Sequence, residues 1–85
     1  MIDYAVYVLK SLNNSKRYIG STHKKPIDRL KDHNSGSNVF TRANKPWVLL
    51  YYEMGYCKAC AVKREHFLKS GQGRRILDAI EKHGK

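Results

Sequence analysis

The sequence predicts an α+β fold: a small three-stranded sheet, antiparallel or mixed, flanked by helices in the order β-β-α-β-α-α. Three observations carry this. Two short runs rich in Val, Tyr and Ile lie either side of a polar turn at the start of the chain. A continuous apolar run, WVLLYYEM, lies in the middle. Helical spacing of apolar residues follows each of these strand signals.

Asp3 to Lys10 (DYAVYVLK) reads as a strand, and SLNNSK as a turn in which Asn13 and Asn14 tolerate left-handed backbone. Lys16 to Ser21 (KRYIGS) returns as a second strand, which makes the pair a β-hairpin ending at Gly20. Pro26 suits the first turn of a helix capped by Thr22 or the residues after it, with Ile27, Leu30 and Asn34 on one side and Gly36 as its stop. NSGSNVFTRANKP reads as a polar loop holding Arg42 and Lys45. Trp47 to Met54 is the strongest strand signal, and its unbroken apolar run suits a buried position. Lys58 to Ser70 fits a helix, with Cys60, Ala61, Arg64, Phe67 and Leu68 clustered on one side. Gly71 and Gly73 break it, and a short last helix, Arg74 to Lys82, carries Ile76, Leu77 and Ile80.

The chain has 85 residues, room for one modest core, and is read as a single domain over residues 1–85. Its hydrophobic content of 41% is that of a globular protein. Seventeen Lys and Arg against seven Asp and Glu give a formal net charge of +10, which points to a polyanionic partner such as nucleic acid. No run approaches the ~18 apolar residues of a spanning helix, and no signal-peptide core precedes the first strand, so a cytoplasmic protein without a membrane partner is expected. Cys57 and Cys60 form a lone C-x-x-C. A structural zinc site takes about four ligands, and no second pair is present. A redox role calls for a thioredoxin-like strand-to-helix context that the sequence does not supply, so the plainer reading is two small residues at a helix start.

Arg29 and His33, four apart on the first helix, share a face. Glu65 lies about 40° from Ala61 and about 60° from Leu68 around the second helix, beside its buried face, where a carboxylate is costly without a cation. A fold that packs both helices beside the hairpin could gather the Tyr7 and Tyr18 phenols, a guanidinium, an imidazole and a carboxylate. Such a set suits phosphodiester hydrolysis. One carboxylate can hold a divalent metal, metal and guanidinium can neutralise charge on the phosphate, and a phenol or imidazole can take a proton from the attacking water. Each piece alone has an ordinary reading: strand tyrosines pack, a helical Arg/His pair is commonly solvated, and Glu65 with Lys69 is an i,i+4 ion pair.

The ordered motifs decide between these. AVY at Ala5 to Tyr7 and YIG at Tyr18 to Gly20 resemble the signature of the GIY-YIG nuclease family, with Ala5 and Val6 standing in the first triplet for Gly and Ile. The likeness continues through RLKDHNSG, KPWVLLYYE and KREHFLKSGQGRR, covers nearly the whole chain, and is to the small stand-alone members related to the excinuclease C-subunit catalytic domain. The resemblance implies divalent-metal-dependent cleavage of DNA, with Mg²⁺ or Mn²⁺ as the ion, in DNA repair or processing. It places Tyr7 and Tyr18 as the signature tyrosines, Arg29 at the scissile phosphate, His33 as a proton shuttle and Glu65 as the metal ligand. Many members also have an asparagine late in the domain. None follows Asn44 here, and Gln72 is the nearest stand-in.

With the whole chain taken up by the catalytic-type domain, the basic surface has to hold the DNA. Lys24, Lys25, Arg42, Lys45, Arg74 and Arg75 fall in expected loops or helix ends, where they can meet phosphates without reading sequence. The expectation is a monomeric metal-dependent DNA endonuclease, with RNA as a further substrate class. A catalytically weak binding module of the same fold is the alternative, and a thiol or zinc protein built on Cys57 and Cys60 comes third.

Overall fold

The computed structural model describes residues 3–36 and 38–83. Its elements are β1 (Tyr4–Ser11), β2 (Arg17–Thr22), α1 (Pro26–Asn34), α2 (Val39–Ala43), β3 (Trp47–Tyr56), α3 (Lys58–Lys69) and α4 (Gly71–His83). The three strands form one antiparallel sheet in the order β2-β1-β3, so the α+β expectation holds.

β1 is the central strand, and the alternation of its side chains divides the core in two. Val6 and Val8 point to one face, where Ala61 and Leu68 of α3 and Leu77 of α4 pack on them. Tyr7 and Leu9 point to the other, against Trp47 of β3, with Tyr18, Leu30 and Leu49 around them. The sheet is thus covered by α3 and α4 on one side and by α1 and α2 on the other.

Three expectations need correcting. The long apolar strand β3 lies at the sheet edge, and Val48, Tyr52 and Met54 are exposed along it. Position in the strand order is a tertiary matter, and a run of apolar letters does not encode it. The expected loop between α1 and β3 contains α2, a single turn capped by the Asn38 side chain, which accepts from the Thr41 N–H at 2.8 Å. Finally, α4 begins at Gly71 rather than Arg74, so Gly73 lies inside it. A Cβ on Gly73 would run into the Phe67 carbonyl and the Leu68 backbone, so glycine there is what lets α4 close onto the end of α3.

Smaller details also differ. The positive φ of the hairpin turn falls on Ser15, at 64°, rather than on Asn13 or Asn14. Lys25 precedes α1 with no side-chain cap, while Thr22 Oγ1 accepts from the Lys24 N–H. Ile27 and Cys60 are exposed, so neither belongs to the buried stripe of its helix. Asn34 ties α1 to β3 by pairing with both backbone groups of Trp47, accepting from its N–H at 2.7 Å and donating to its carbonyl at 3.0 Å.

Candidate active site

The site grows from the central strand. Tyr7 of β1 lies opposite Gly20 of β2 and is 1% exposed. Its ring crosses the space where a Gly20 side chain would stand: a Cβ there would come within 2.6 Å of the Tyr7 hydroxyl oxygen. The glycine of the second triplet is therefore the seat of the tyrosine of the first.

The Tyr7 hydroxyl meets His33 Nε2 at 2.8 Å, and the other ring nitrogen, Nδ1, meets Thr41 Oγ1 at 3.0 Å. Thr41 Oγ1 in turn donates to Asn38 Oδ1 at 3.0 Å. This fixes the direction of the whole chain. The threonine proton is committed to Asn38, so Thr41 Oγ1 accepts from His33 Nδ1–H. Nε2 then has no proton of its own and accepts the Tyr7 hydroxyl. Burial and the nearby Arg29 charge both lower the His33 pKa, which keeps the imidazole neutral and Nε2 free to accept. Burial pushes the Tyr7 phenol up to about 12, and the Arg29 guanidinium draws it back part of the way.

Arg29, one turn before His33 on α1, brings Nη2 to 3.4 Å from His33 Nε2. Its Nη1 donates to Asp32 at 3.0 Å, and Lys24 donates to the same carboxylate oxygen at 3.0 Å. Asp32, held below its usual pKa first by the Lys24 hydrogen bond, aims the guanidinium while leaving it partly open to solvent. The Tyr18 ring lies 4.7 Å from the His33 ring and stacks on Phe40 of α2. Its hydroxyl meets the Asn38 amide at 3.5 Å rather than Arg29.

Glu65 reaches the hairpin from the other side of the sheet. Its Oε1 accepts from Ser21 Oγ of edge strand β2 at 3.0 Å, and its Oε2 accepts from Lys69 Nζ at 2.8 Å. Ser21 directly follows Gly20, so Glu65 and the Tyr7 phenol flank adjacent residues of one strand. No hydrogen bond joins them among the described residues, but the carboxylate charge acts on Tyr7, nudging its pKa up. The structure thus gathers Tyr7, Tyr18, Arg29 and His33 on one face, with Glu65 across the strand edge.

Lys24, Lys25, Arg42, Lys45, Arg74 and Arg75 are all exposed. Gln72 is exposed in the first turn of α4. Sequence reasoning missed Thr41 and Asn38, which set the His33 tautomer, and Asp32, which aims Arg29. One signal for the first pair was present: an asparagine three residues before a threonine, at the head of an apolar pair, is a helix N-cap pattern.

The hairpin thus sets its two tyrosines on one face of an antiparallel sheet sandwiched by helices. The model of the GIY-YIG catalytic domain matches residues 3–76. The chain is also 34% identical over 82 residues to a UPF0213 protein of Staphylococcus haemolyticus (strain JCSC1435), covering 95% of this chain and 98% of that one. No solved structure gives a match. The chain belongs to the GIY-YIG family, whose nuclease character implies a nucleic-acid substrate.

Proposed function

We propose that this chain is a single-domain, divalent-metal-dependent endonuclease that hydrolyses DNA phosphodiester bonds. The observation that carries the reading is the one-way relay from Tyr7 through His33 to Thr41 and Asn38, with Arg29 beside it. A phenol held near 12 is a poor base by itself at neutral pH. His33 Nε2, itself a weak base, holds the hydroxyl proton away from the cleft, so the phenol oxygen can turn a lone pair to the water that attacks phosphorus and orient it. The imidazole keeps its place because Thr41 holds Nδ1. Arg29, anchored by Asp32, offers its open side to the phosphate oxygens, where negative charge builds as the bond to the attacking water forms.

The donor set around Glu65 fits a hard cation: a carboxylate and a serine hydroxyl, both oxygen. Among the described residues no three acidic, His or Cys side chains gather into a protein cage. Magnesium and manganese accept one carboxylate with the remaining positions filled by water and substrate. An ion bound at Glu65 would supply positive charge against the scissile phosphate. Lys24, Lys25, Arg42, Lys45, Arg74 and Arg75 hold the DNA backbone, and the protein works as a cytoplasmic monomer in DNA repair or processing, as the resemblance of its motifs to the excinuclease C-subunit catalytic domain implies. No helix among the described residues is long and apolar enough to cross a membrane.

The test is cleavage of labelled duplex, flap and branched DNA with Mg²⁺ or Mn²⁺, comparing the protein with Glu65→Ala. Cleavage that disappears in the variant and in chelator supports the reading. Two observations favour a second reading, a module that binds without cutting: Tyr7 is sealed from solvent, and Lys69 already neutralises Glu65. Tight, salt-sensitive binding that survives Glu65→Ala, with no cleavage of any substrate, would establish that module instead.

A further inference from the structure

Cys57 and Cys60 take no part in the site above. Strand β3 ends at Tyr56 and α3 begins at Lys58, so Cys57 alone makes the junction and is the N-cap of α3. The sequence predicts a strand and a helix on either side, and the structure joins them directly at Cys57. The Cys57 Sγ accepts from the Cys60 backbone N–H at 3.2 Å, with the Cys57 backbone extended at φ −71° and ψ 164°. Cys60 follows one turn later, and its backbone N–H already reaches the Cys57 sulfur.

The two sulfurs are chemically unequal. Cys57 faces the free N–H groups and positive end of a helix of 12 residues. The interaction between the two thiols lowers the Cys57 pKa and raises that of Cys60. Both are free, with Cys57 half-buried and Cys60 exposed. Among the described residues no third metal-ligating side chain joins them, so the pair is a dithiol rather than part of a metal centre.

We propose that Cys57 and Cys60 are a redox-active dithiol that reduces low-molecular-weight disulfides, with Cys57 attacking and Cys60 resolving. The Cys57 thiolate bonds to one sulfur of the small disulfide, whose S–S bond breaks and releases one thiolate. Cys60 then gives up its proton and attacks the Cys57 sulfur, releasing the second small thiol and closing a Cys57–Cys60 disulfide. Two electrons pass from the protein to the small molecule, and excess thiol reverses both steps. This activity does not depend on the nuclease reading.

The experiment uses the full chain, Cys57→Ser and Cys60→Ser, with oxidised glutathione as probe and mass spectrometry as readout. Serine remains a good N-cap, and both positions reach solvent, so the variants fold. Wild type is expected to lose two hydrogens and carry no lasting adduct. Cys60→Ser should retain one glutathione on Cys57, and Cys57→Ser should react about tenfold more slowly, as its remaining thiol lacks the helix-end stabilisation. In wild type, iodoacetamide should label Cys57 first, with a pH midpoint below the ~8.5 of an ordinary thiol. Glutathione accumulating on both cysteines without ring closure, or equal alkylation rates with an ordinary midpoint, would overturn the proposal.

Discussion

Gly20→Ala tests the centre of the site most directly, because a single methyl group is enough to disturb it. The added Cβ would lie 2.6 Å from the Tyr7 hydroxyl oxygen, 2.8 Å from Cζ and 3.1 Å from Cε1. Ordinary carbon contacts begin at about 3.5 Å, so the phenol has to move by roughly 1 Å. It has little room to do so, being buried against β2 and α1 with its hydroxyl fixed on His33. Overpacking of this kind costs about 1–3 kcal/mol, and losing the hydrogen bond adds about 1 kcal/mol. The expected loss of stability is therefore on the order of 2–4 kcal/mol, or a melting point lower by roughly 10–25 °C for a domain of this size. Under the proposed function, a 1 Å misplacement of the phenol should also slow cleavage about a hundredfold. Urea unfolding and single-turnover cleavage measure the two effects. Gly71→Ala is the control, since nothing lies within 4 Å of a Cβ there. If Gly20→Ala matched wild type within about 0.5 kcal/mol and kept its cleavage rate, the argument that Gly20 seats Tyr7 would fail.

Three further outcomes are expected. Glu53 accepts from Arg64 and from the Tyr51 and Tyr56 hydroxyls, and these donors, Arg64 foremost, hold its pKa at about 2 against an ordinary 4.5. A depressed carboxyl stabilises the fold fully above its unfolded value, so stability worth roughly 3 kcal/mol should disappear as pH falls from 4.5 to 2, and urea unfolding of Glu53→Gln should lack that step. Thr41→Val removes the acceptor for His33 Nδ1–H, which should destabilise the fold by about 1–3 kcal/mol, and ¹⁵N NMR should show the His33 tautomer populations change. Replacing Arg74 and Arg75 with alanine should weaken DNA binding and flatten its salt dependence by about one unit of slope for each phosphate that is no longer neutralised, measured by binding isotherms across a salt series, with no change in sequence preference.

Much of this protein is encoded locally. The two hairpin strands, the Pro26 helix start, the strand from Trp47 and the helix from Lys58 all carry their signals within a few residues, as side-chain period, proline position or turn chemistry. The family pattern was also legible, because its motifs keep their order along the chain. Other features were settled only when distant segments met. Whether WVLLYYEM lies at the centre or the edge of the sheet depends on which strand takes the place between its neighbours. Gly73 reads as a helix breaker until the end of α3 is set against it, where it becomes a point of close packing. Thr41 and Asn38 look like loop residues until α2 brings them under His33, from which the proton's direction follows. Gly20 and Tyr7 are 13 positions apart and share no local signal, yet strand register puts the ring of one across the backbone of the other. By itself the sequence determined the three strands, the helices α1 and α3 and the family, since these rest on neighbours in the chain. The tertiary structure decided the edge strand, the Gly20 seat of Tyr7 and the relay, because each depends on atoms that only folding brings within hydrogen-bonding or van der Waals distance.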